Sequence, residues 1–225
     1  MKFGIIAEGK GDCAVLRNIL IGLGLIEKPS QVAFIRPKFE KDASDIKDMH
    51  PDEFSSWTLV KSECVSRHKF FEFFEEGSLD EKRKMIVHLD SAECELKGYD
   101  VKRPDKNSDN YCEILRNNII EKIKEWLDNK YTDDTYFAIA IEETEAWVHA
   151  LYENKDTSKS AAPKEAFSRY LIKNKIRVKS NNAYQRAKIL SDDFTKINRK
   201  KVKGCLENNL SLKLFVESLP APQYI

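Results

Sequence analysis

The chain has 225 residues, a formal net charge of +1 and 41% hydrophobic residues, enough for one large domain or one domain with a small helical appendage. No apolar run approaches the roughly 20 residues of a membrane-spanning helix, and the apolar stretch after Met1 is too short for a secretory signal. The five cysteines are odd in number and lack paired spacing, which predicts reduced thiols in a cytoplasmic protein rather than disulfides or a zinc site.

The amino-terminal stretch predicts a buried strand, a tight acidic turn and an amphipathic helix. The apolar residues 3–7 form the strand, Glu8-Gly9-Lys10-Gly11-Asp12 forms the turn, and apolar residues at helical spacing follow from Cys13. Open α/β sheets bind ligands at the carboxyl ends of their strands, where Glu8 and Asp12 offer two hard oxygen ligands for Mg²⁺ or Mn²⁺. Alternatively, Asp12 is a helix N-cap and Glu8 only favours the helix terminus electrostatically. The glycine spacing matches neither common nucleotide-binding motif.

The middle of the chain predicts a second strand at 31–36, closed by Pro37, a loop at 38–54 and one helix at 55–76, ended by Gly77. Its four phenylalanines between residues 70 and 74 are expected in the core. An apolar strand at 84–90 then ends in Asp90.

After Asp90 the sequence is polar and predicts a long loop at 91–108, followed by a helix at 110–129 with Asp109 as its cap. A third acid-terminated strand at 136–143 ends in Glu142 and Glu143, and a helix begins at Thr144 and Glu145. Thr144 as an N-cap and Glu145 as a first-turn acid are the alternative to a metal-binding role. Helical patterns continue at 164–173, 183–194 and, with breaks, 200–219.

Strands that alternate with helices predict an α/β fold with a largely parallel sheet covered by helices on both faces. In such a sheet the strand ends at Glu8, at Asp90 and at the group of Glu142, Glu143 and Glu145 lie on one rim. Clustered carboxylates repel one another unless a cation neutralises them. The pattern therefore predicts one or two divalent ions used for phosphoryl transfer.

The basic third of the chain indicates a different kind of partner. Residues 155–203 contain fifteen Lys and Arg against four Asp and Glu, so this segment carries +11 and the rest of the chain −10. Such asymmetry indicates a polyanion such as nucleic acid, whereas the alternative is a well-solvated helical surface. The candidate contact residues are Lys196, Arg199, Lys200, Lys201 and Lys203, all of which except Lys201 share one face if the segment is helical.

The acidic strand ends resemble the motifs of the Toprim fold, which topoisomerases, primases and OLD-type nucleases share. An apolar strand followed by Glu8-Gly9 and by Asp12 is similar to the first Toprim motif, and a strand ending in Asp90 is similar to the second. The second motif carries another Asp where this chain has Ala92, and Glu93 follows as a substitute. Glu145 resembles a further acid of OLD-type proteins, and Lys164 and Lys188 are candidates for their downstream lysine.

The resemblance, which is greatest to small stand-alone bacterial Toprim-like proteins, implies a Toprim-like metal-binding domain at 1–152 and a basic helical extension at 153–225 packed on it. It implies a Mg²⁺- or Mn²⁺-dependent nuclease that works in defence against phage, beside a separate ABC-type ATPase. The implied catalytic residues are Glu8, Asp90 and Lys10, and the implied metal ligands are Glu8, Asp12, Asp90, Glu93 and Glu145. Since Ala92 removes an acid, the alternative is a non-catalytic nucleic-acid-binding or ATPase-partner subunit. Phosphoryl transfer to a small molecule is a third possibility, which the missing nucleotide loop disfavours.

Overall fold

Four parallel strands form a single sheet in the computed structural model, which describes residues 1–38, 57–76, 81–197 and 200–220. The strands are β1 (Lys2–Ile6), β2 (Val32–Arg36), β3 (Arg83–Asp90) and β4 (Thr135–Ala140), and their order in the sheet is β2-β1-β3-β4. β1 and β3 are central, and their register pairs Ile6 with Val87. The α/β class and the parallel sheet predicted from the sequence are thereby confirmed.

Helices cover both faces of the sheet. The described ranges contain nine α-helices: α1 (Lys10–Gly22), α2 (Trp57–Ser66), α3 (His68–Glu75), α4 (Tyr111–Trp126), α5 (Glu145–His149), α6 (Pro163–Lys173), α7 (Ala183–Leu190), α8 (Lys200–Glu207) and α9 (Leu210–Ser218). Short 3₁₀ turns occupy Pro29–Gln31, Thr132–Asp134 and Asp192–Lys196. In the parts that the structure describes, no helix is long and apolar enough to cross a membrane.

Side chains of the central strands alternate between two buried clusters, because successive residues of a strand point to opposite faces. Ile5 and Ile86 belong to a cluster beneath α1, α6, α7 and α9, whereas Ile6 and Val87 belong to a cluster beneath α2, α3 and α4. A strand that is buried on both sides is apolar throughout, which is why the sequence shows continuous apolar runs there.

The carboxyl-terminal part of the chain contributes to the first of these clusters. Phe167, Phe194 and Phe215 pack in the same cluster as Phe3 and Leu16 of the amino-terminal part. The carboxyl-terminal part therefore helps to cover one face of the sheet and shares its core. The basic extension and its boundary at residue 152 stay predictions.

The helix predicted at 55–76 is wrong as a single element. Two helices occupy its described part, and they meet at Arg67, whose backbone is left-handed with φ 57°. Only part of the phenylalanine group packs as expected, since Phe70 and Phe73 are buried but Phe71 is 57% exposed. The loop predicted at 38–54 lies, apart from Lys38, outside the described residues, as does Gly77.

Other predicted element ends also differ from the structure. Asp109 is not the cap of α4, since Asn110 occupies that position, without a side-chain capping bond. The strand predicted at 136–143 ends at Ala140, because Glu142 has a left-handed backbone with φ 63°. The break between α8 and α9 is made by Asn209, whose side chain accepts a hydrogen bond from the Leu212 N–H.

Gly22, at the end of α1, allows the 3₁₀ turn at 192–196 to pack directly on that helix. A Cβ at Gly22 would lie 1.9 Å from the backbone oxygen of Phe194, whereas a Cβ at Gly204 of α8 meets nothing within 4 Å. We expect Gly22→Ala to lower the free energy of unfolding by about 1–3 kcal/mol through overpacking. Gly204→Ala is the control and should raise it by up to about 1 kcal/mol, since Ala favours helix. Urea unfolding measures both, and equal effects would contradict the close packing.

Candidate functional site

The carboxyl ends of the two central strands meet at the predicted rim. Glu8 follows β1, and its Oε1 accepts a hydrogen bond of 2.8 Å from the backbone N–H of Asp90, the last residue of β3. This contact follows from the sheet order, since β1 and β3 are neighbours and run parallel. Glu8 and Asp90, 82 residues apart in the chain, thus belong to one site.

Asp12 lies in the first turn of α1, which begins directly after Glu8. Its Oδ2 accepts a hydrogen bond of 2.8 Å from the Gly9 N–H, so Gly9 holds the N-cap position and Asp12 is the third helical residue. The interpretation of Asp12 as the N-cap is therefore wrong, although its carboxylate does stabilise the start of the helix. The side chain keeps 16% of its surface exposed, which leaves it accessible to a ligand.

Thr144 joins Asp90 to a buried histidine. Its backbone N–H and hydroxyl both donate to Asp90 Oδ1, at 3.1 and 3.0 Å, and its Oγ1 lies 2.9 Å from His88 Nε2. With the hydroxyl proton donated to the carboxylate, the His88 tautomer that fits this geometry carries its proton on Nε2 and donates it to Oγ1. Thr144 occupies the N-cap position of α5, as the alternative interpretation predicted, but its side chain makes no capping bond to that helix and bonds to Asp90 instead.

His88 is fully buried, and its Nδ1 has no hydrogen-bond partner. Burial lowers the pKa of His88 below its ordinary value of 6.5, so the ring is neutral. With Nε2 protonated, Nδ1 presents a lone pair, and it lies 4.0 Å from Asp12 Oδ2. Two acceptors thus face each other with no donor between them, an arrangement that a proton, a water or a cation would stabilise.

The carboxylates of the site destabilise one another's charged forms. Burial raises the pKa of Glu8 to about 8, and the charges of Asp12 and Glu93 add to this, while the hydrogen bond from Asp90 opposes it. Burial also raises the pKa of Asp90, with contributions from Asp12, Glu8 and Glu145. We refer to Glu8, Asp12, Asp90 and Glu145 as the acid cluster.

Glu145, the first residue of α5, is the member contributed by the fourth strand's end. Burial raises its pKa, the charges of Asp12 and Glu143 raise it further, and the charge of Lys164 lowers it. Of the acids predicted at this strand end, Glu145 is therefore the one that interacts with the rest of the cluster.

Glu142 and Glu143 have structural partners instead. Glu142 is buried and forms a bidentate pair with Arg103, at 2.6 and 3.1 Å, and Glu143 accepts a hydrogen bond of 3.1 Å from the Lys164 N–H. Glu93 is exposed in the turn after β3, where its charge contributes to the raised pKa of Glu8. It is a peripheral member of the site.

The lysines predicted for the site occupy three different positions. Lys10 is the first residue of α1, beside Glu8 in the chain. Lys164 lies close enough to Glu145 to lower its pKa. Lys188 lies on α7, and its backbone oxygen accepts a hydrogen bond from the Asn18 side-chain amide. Of the two candidates Lys164 and Lys188, Lys164 is therefore the one whose charge acts on a member of the acid cluster.

The predicted nucleic-acid contacts do not lie on one helix. Lys196 ends a separate 3₁₀ turn and pairs with Asp192 and Asp193 at 3.5 and 3.1 Å, which is a correction to the shared helical face. Lys203 is exposed on α8. Arg199 lies outside the described residues, and the side chains of Lys200 and Lys201 are not described although both belong to α8.

The acid cluster is not arranged as a finished metal site. Within the described ranges, no group of three or more His, Cys, Asp and Glu side chains is positioned to hold a metal ion. Sequence reasoning brought Glu8, Asp90, Asp12 and Glu145 together but missed His88 and Thr144. Comparison with protein-family models, curated proteins and solved structures found no match to this chain.

Proposed function

We propose that the acid cluster binds a divalent cation, Mg²⁺ or Mn²⁺, and that the protein hydrolyses phosphodiester bonds of nucleic acid in the manner of a Toprim nuclease. The observation that carries the proposal is the hydrogen bond between Glu8 and the Asp90 backbone, which joins two acids from adjacent parallel strand ends. The cluster also fits a cation chemically, because its ligands are hard oxygens and its members raise one another's pKa values.

The unpartnered Nδ1 of His88 supports the same proposal, since a buried acceptor facing Asp12 lacks a positive partner. Glu8, Asp12 and Asp90 would hold the ion, and the nearby carboxylate of Glu145 would add a further negative charge that attracts it. A bound ion would supply stabilisation for the negative charge that develops on the phosphate. Binding would require these side chains to rearrange, because among the described residues no three His, Cys, Asp or Glu side chains are already positioned to hold an ion.

The residues of the chain have separate tasks in such a reaction. Glu8 is the candidate general base as well as a ligand, because a bound cation would lower the pKa of about 8 that it has without metal and leave its carboxylate able to accept a proton. Thr144 holds Asp90 by two hydrogen bonds and thereby fixes the direction of its second oxygen. Lys10 lies at the amino terminus of α1, where both its charge and the helix dipole favour a phosphate.

A non-catalytic subunit is the second candidate, and two observations favour it. Ala92 occupies the position where the second Toprim motif carries another Asp. In addition, no three acidic, His or Cys side chains among the described residues are positioned to hold a metal ion. In that case the acidic rim is a structural or regulatory site, and the protein binds nucleic acid or a separate ATPase subunit.

Cleavage assays separate the two candidates. Labelled single-stranded and duplex DNA and RNA are incubated with the protein in Mg²⁺, in Mn²⁺ and in EDTA. The nuclease proposal predicts cleavage that requires a metal ion, whereas binding without cleavage under every condition would favour the non-catalytic subunit.

The basic segment provides a prediction that does not depend on catalysis. Replacing Arg199, Lys200 and Lys203 with Gln should flatten the dependence of log K on log salt by roughly two to three units on duplex DNA, since each phosphate contact contributes a slope of about −0.9. The loss should be similar for unrelated sequences, because phosphate contacts carry little sequence information. Binding of a labelled oligonucleotide across a salt series measures it. Identical slopes for both proteins would mean that this segment is merely solvated or meets a protein.

A further inference from the structure

A cavity of about 360 Å³ opens beside the acid cluster, between α1, α5, α6 and α7. Asp12 and Glu145 contribute to its lining, so the cavity and the cluster share one wall. Its volume lies at the lower end of the range of small-molecule sites, about 300–1,000 Å³. The cavity is therefore large enough for one small organic molecule, or one residue of a polymer, next to the acid cluster.

The walls of the cavity are mainly apolar. Besides two alanines, five larger apolar side chains from the four helices line it: Val15, Val148, Phe167, Leu171 and Leu190. All five are buried, and they belong to the core cluster on that face of the sheet, so the walls are fixed by packing. Transfer of a flat, apolar group from water into this space would be favourable.

Two cations complete the lining on the exposed side. Lys164 of α6 and Arg186 of α7 have exposed side chains, and no ion pair among the described residues involves either of them. The cavity thus combines apolar walls, two cationic groups and an acidic wall. A ligand that matches it has an apolar ring and an adjacent anionic group.

We propose that this cavity binds one unstacked nucleotide of a single-stranded or frayed nucleic acid, with its base against the apolar walls and a flanking phosphate between Lys164 and Arg186. The choice of ligand rests on the proposed nuclease function. A paired base cannot enter such a cavity unless the duplex opens, which costs a few kcal/mol. The site therefore selects single strands and ends over the interior of a duplex.

The lining of the cavity offers little that would distinguish one base from another. Ser168 is its one neutral polar side chain apart from Thr144, which is already bonded to Asp90 and His88. Apolar contact with a base is tolerant of sequence, because every base presents an apolar face. The subsite thus distinguishes strand state and not base identity.

Binding measurements test this inference apart from cleavage. The probe is a fluorescein-labelled single-stranded oligonucleotide, made as DNA and as RNA, against a blunt duplex of the same sequence. Fluorescence anisotropy is recorded in EDTA and in Ca²⁺, with the probe checked for integrity on a gel. We expect the single strand of at least one of the two chemistries to bind more tightly than the duplex.

The first variant fills the cavity with a larger side chain. Ser168→Trp places a large side chain at an exposed lining position of α6, and Ile172→Trp places the same side chain one turn further on that helix, at a residue that is 78% exposed and does not line the cavity. Ser168→Trp should weaken single-strand binding about tenfold, the effect of losing one buried base. Ile172→Trp should leave it within about twofold.

A charge variant covers the case in which Ser168→Trp fails to fold. Arg186→Gln removes a cation at the cavity, and Lys173→Gln removes one from an exposed position of α6 outside it. Arg186→Gln should weaken binding more than Lys173→Gln does. The change in 2-aminopurine fluorescence on binding should accordingly need higher protein concentrations with Arg186→Gln than with Lys173→Gln.

The outcomes separate this inference from the nuclease proposal. If no metal-dependent cleavage occurs but both cavity variants weaken single-strand binding, the subsite stands and the nuclease proposal fails. If the cavity variants bind like their controls, or if duplex binds as tightly as single strands, the subsite is overturned. Metal-dependent cleavage by the same protein then leaves the nuclease proposal standing.

Discussion

Replacing Glu8 with Gln is expected to abolish metal-dependent cleavage while leaving the protein folded. The amide keeps the size of the side chain, and its oxygen can still accept the hydrogen bond from the Asp90 N–H. It removes the negative charge that a cation requires and the group that accepts a proton. We expect a loss of at least about 10²-fold, the scale of removing a general base. Initial cleavage rates in Mg²⁺ and in Mn²⁺ measure the effect.

The matched control for this variant is Glu121→Gln. Glu121 lies exposed on α4, pairs only with Lys124 in the described structure, and belongs to neither the acid cluster nor the cavity. Its replacement changes the net charge by the same amount and should leave the cleavage rate unchanged. Cleavage at the wild-type rate by Glu8→Gln in both metals would show that the chemistry lies elsewhere in the protein.

The second large effect concerns stability without metal. We expect the metal-free protein to lose stability as pH rises from 6.5 to about 8. The pKa of Glu8 is about 8 in the folded protein, against an ordinary value of 4.5 in the unfolded chain. Between these values the unfolded state has released the proton that the folded state retains, so each pH unit costs at most about 1.4 kcal/mol. The stabilisation is complete below pH 4.5 and is lost once pH passes about 8.

His88 determines the lower limit of that pH range. Its pKa in the folded state lies below 6.5, so the unfolded chain takes up a proton first as pH falls, and His88 destabilises the protein below 6.5. Below pH 6.5 the titration of His88 and that of the acids change the stability in opposite directions. Above pH 6.5, of these groups, only the acids change it. The raised pKa values of Asp90 and Glu145 add to the loss at high pH.

Thermal unfolding in EDTA across pH 6.5 to 8.5 measures this trend. A loss of about 1 kcal/mol corresponds to roughly 2–4 °C for a protein of this size. Glu8→Gln should have a shallower pH dependence than wild type and should be more stable than wild type above pH 8. A variant with the same pH dependence as wild type would mean that Glu8 titrates normally.

Much of the rim was predictable from the sequence because its signals are local. The apolar runs that end at Ala7 and Asp90 identify buried parallel strands, and the acids that follow mark their carboxyl ends. What the sequence does not contain is the sheet order. That β1 lies beside β3, so that Glu8 meets the Asp90 backbone, depends on how the whole sheet assembles.

The missed residues are those whose partners lie far along the chain. Thr144 matches a helix cap in its local pattern, yet its hydroxyl bonds to Asp90 and lies beside His88, 54 and 56 residues away. His88 was hidden within an apolar strand, where a histidine has no local partner to identify it. Glu142 was grouped by position with the acids of the rim, but its pairing with Arg103 arises only from the folding of the loop at 91–108.

Calorimetric titration of Mn²⁺ into the metal-free protein at a pH above 8 tests most directly whether the acid cluster is a cation site. At that pH the carboxylate of Glu8 is ionised, so a metal ion does not have to displace its proton. We expect saturable binding by wild type and by Glu121→Gln, and binding by Glu8→Gln that is weaker by about tenfold or more, since one anionic ligand is lost. No heat of binding to wild type, or equal affinities for wild type and Glu8→Gln, would contradict a metal centre at the ends of β1 and β3.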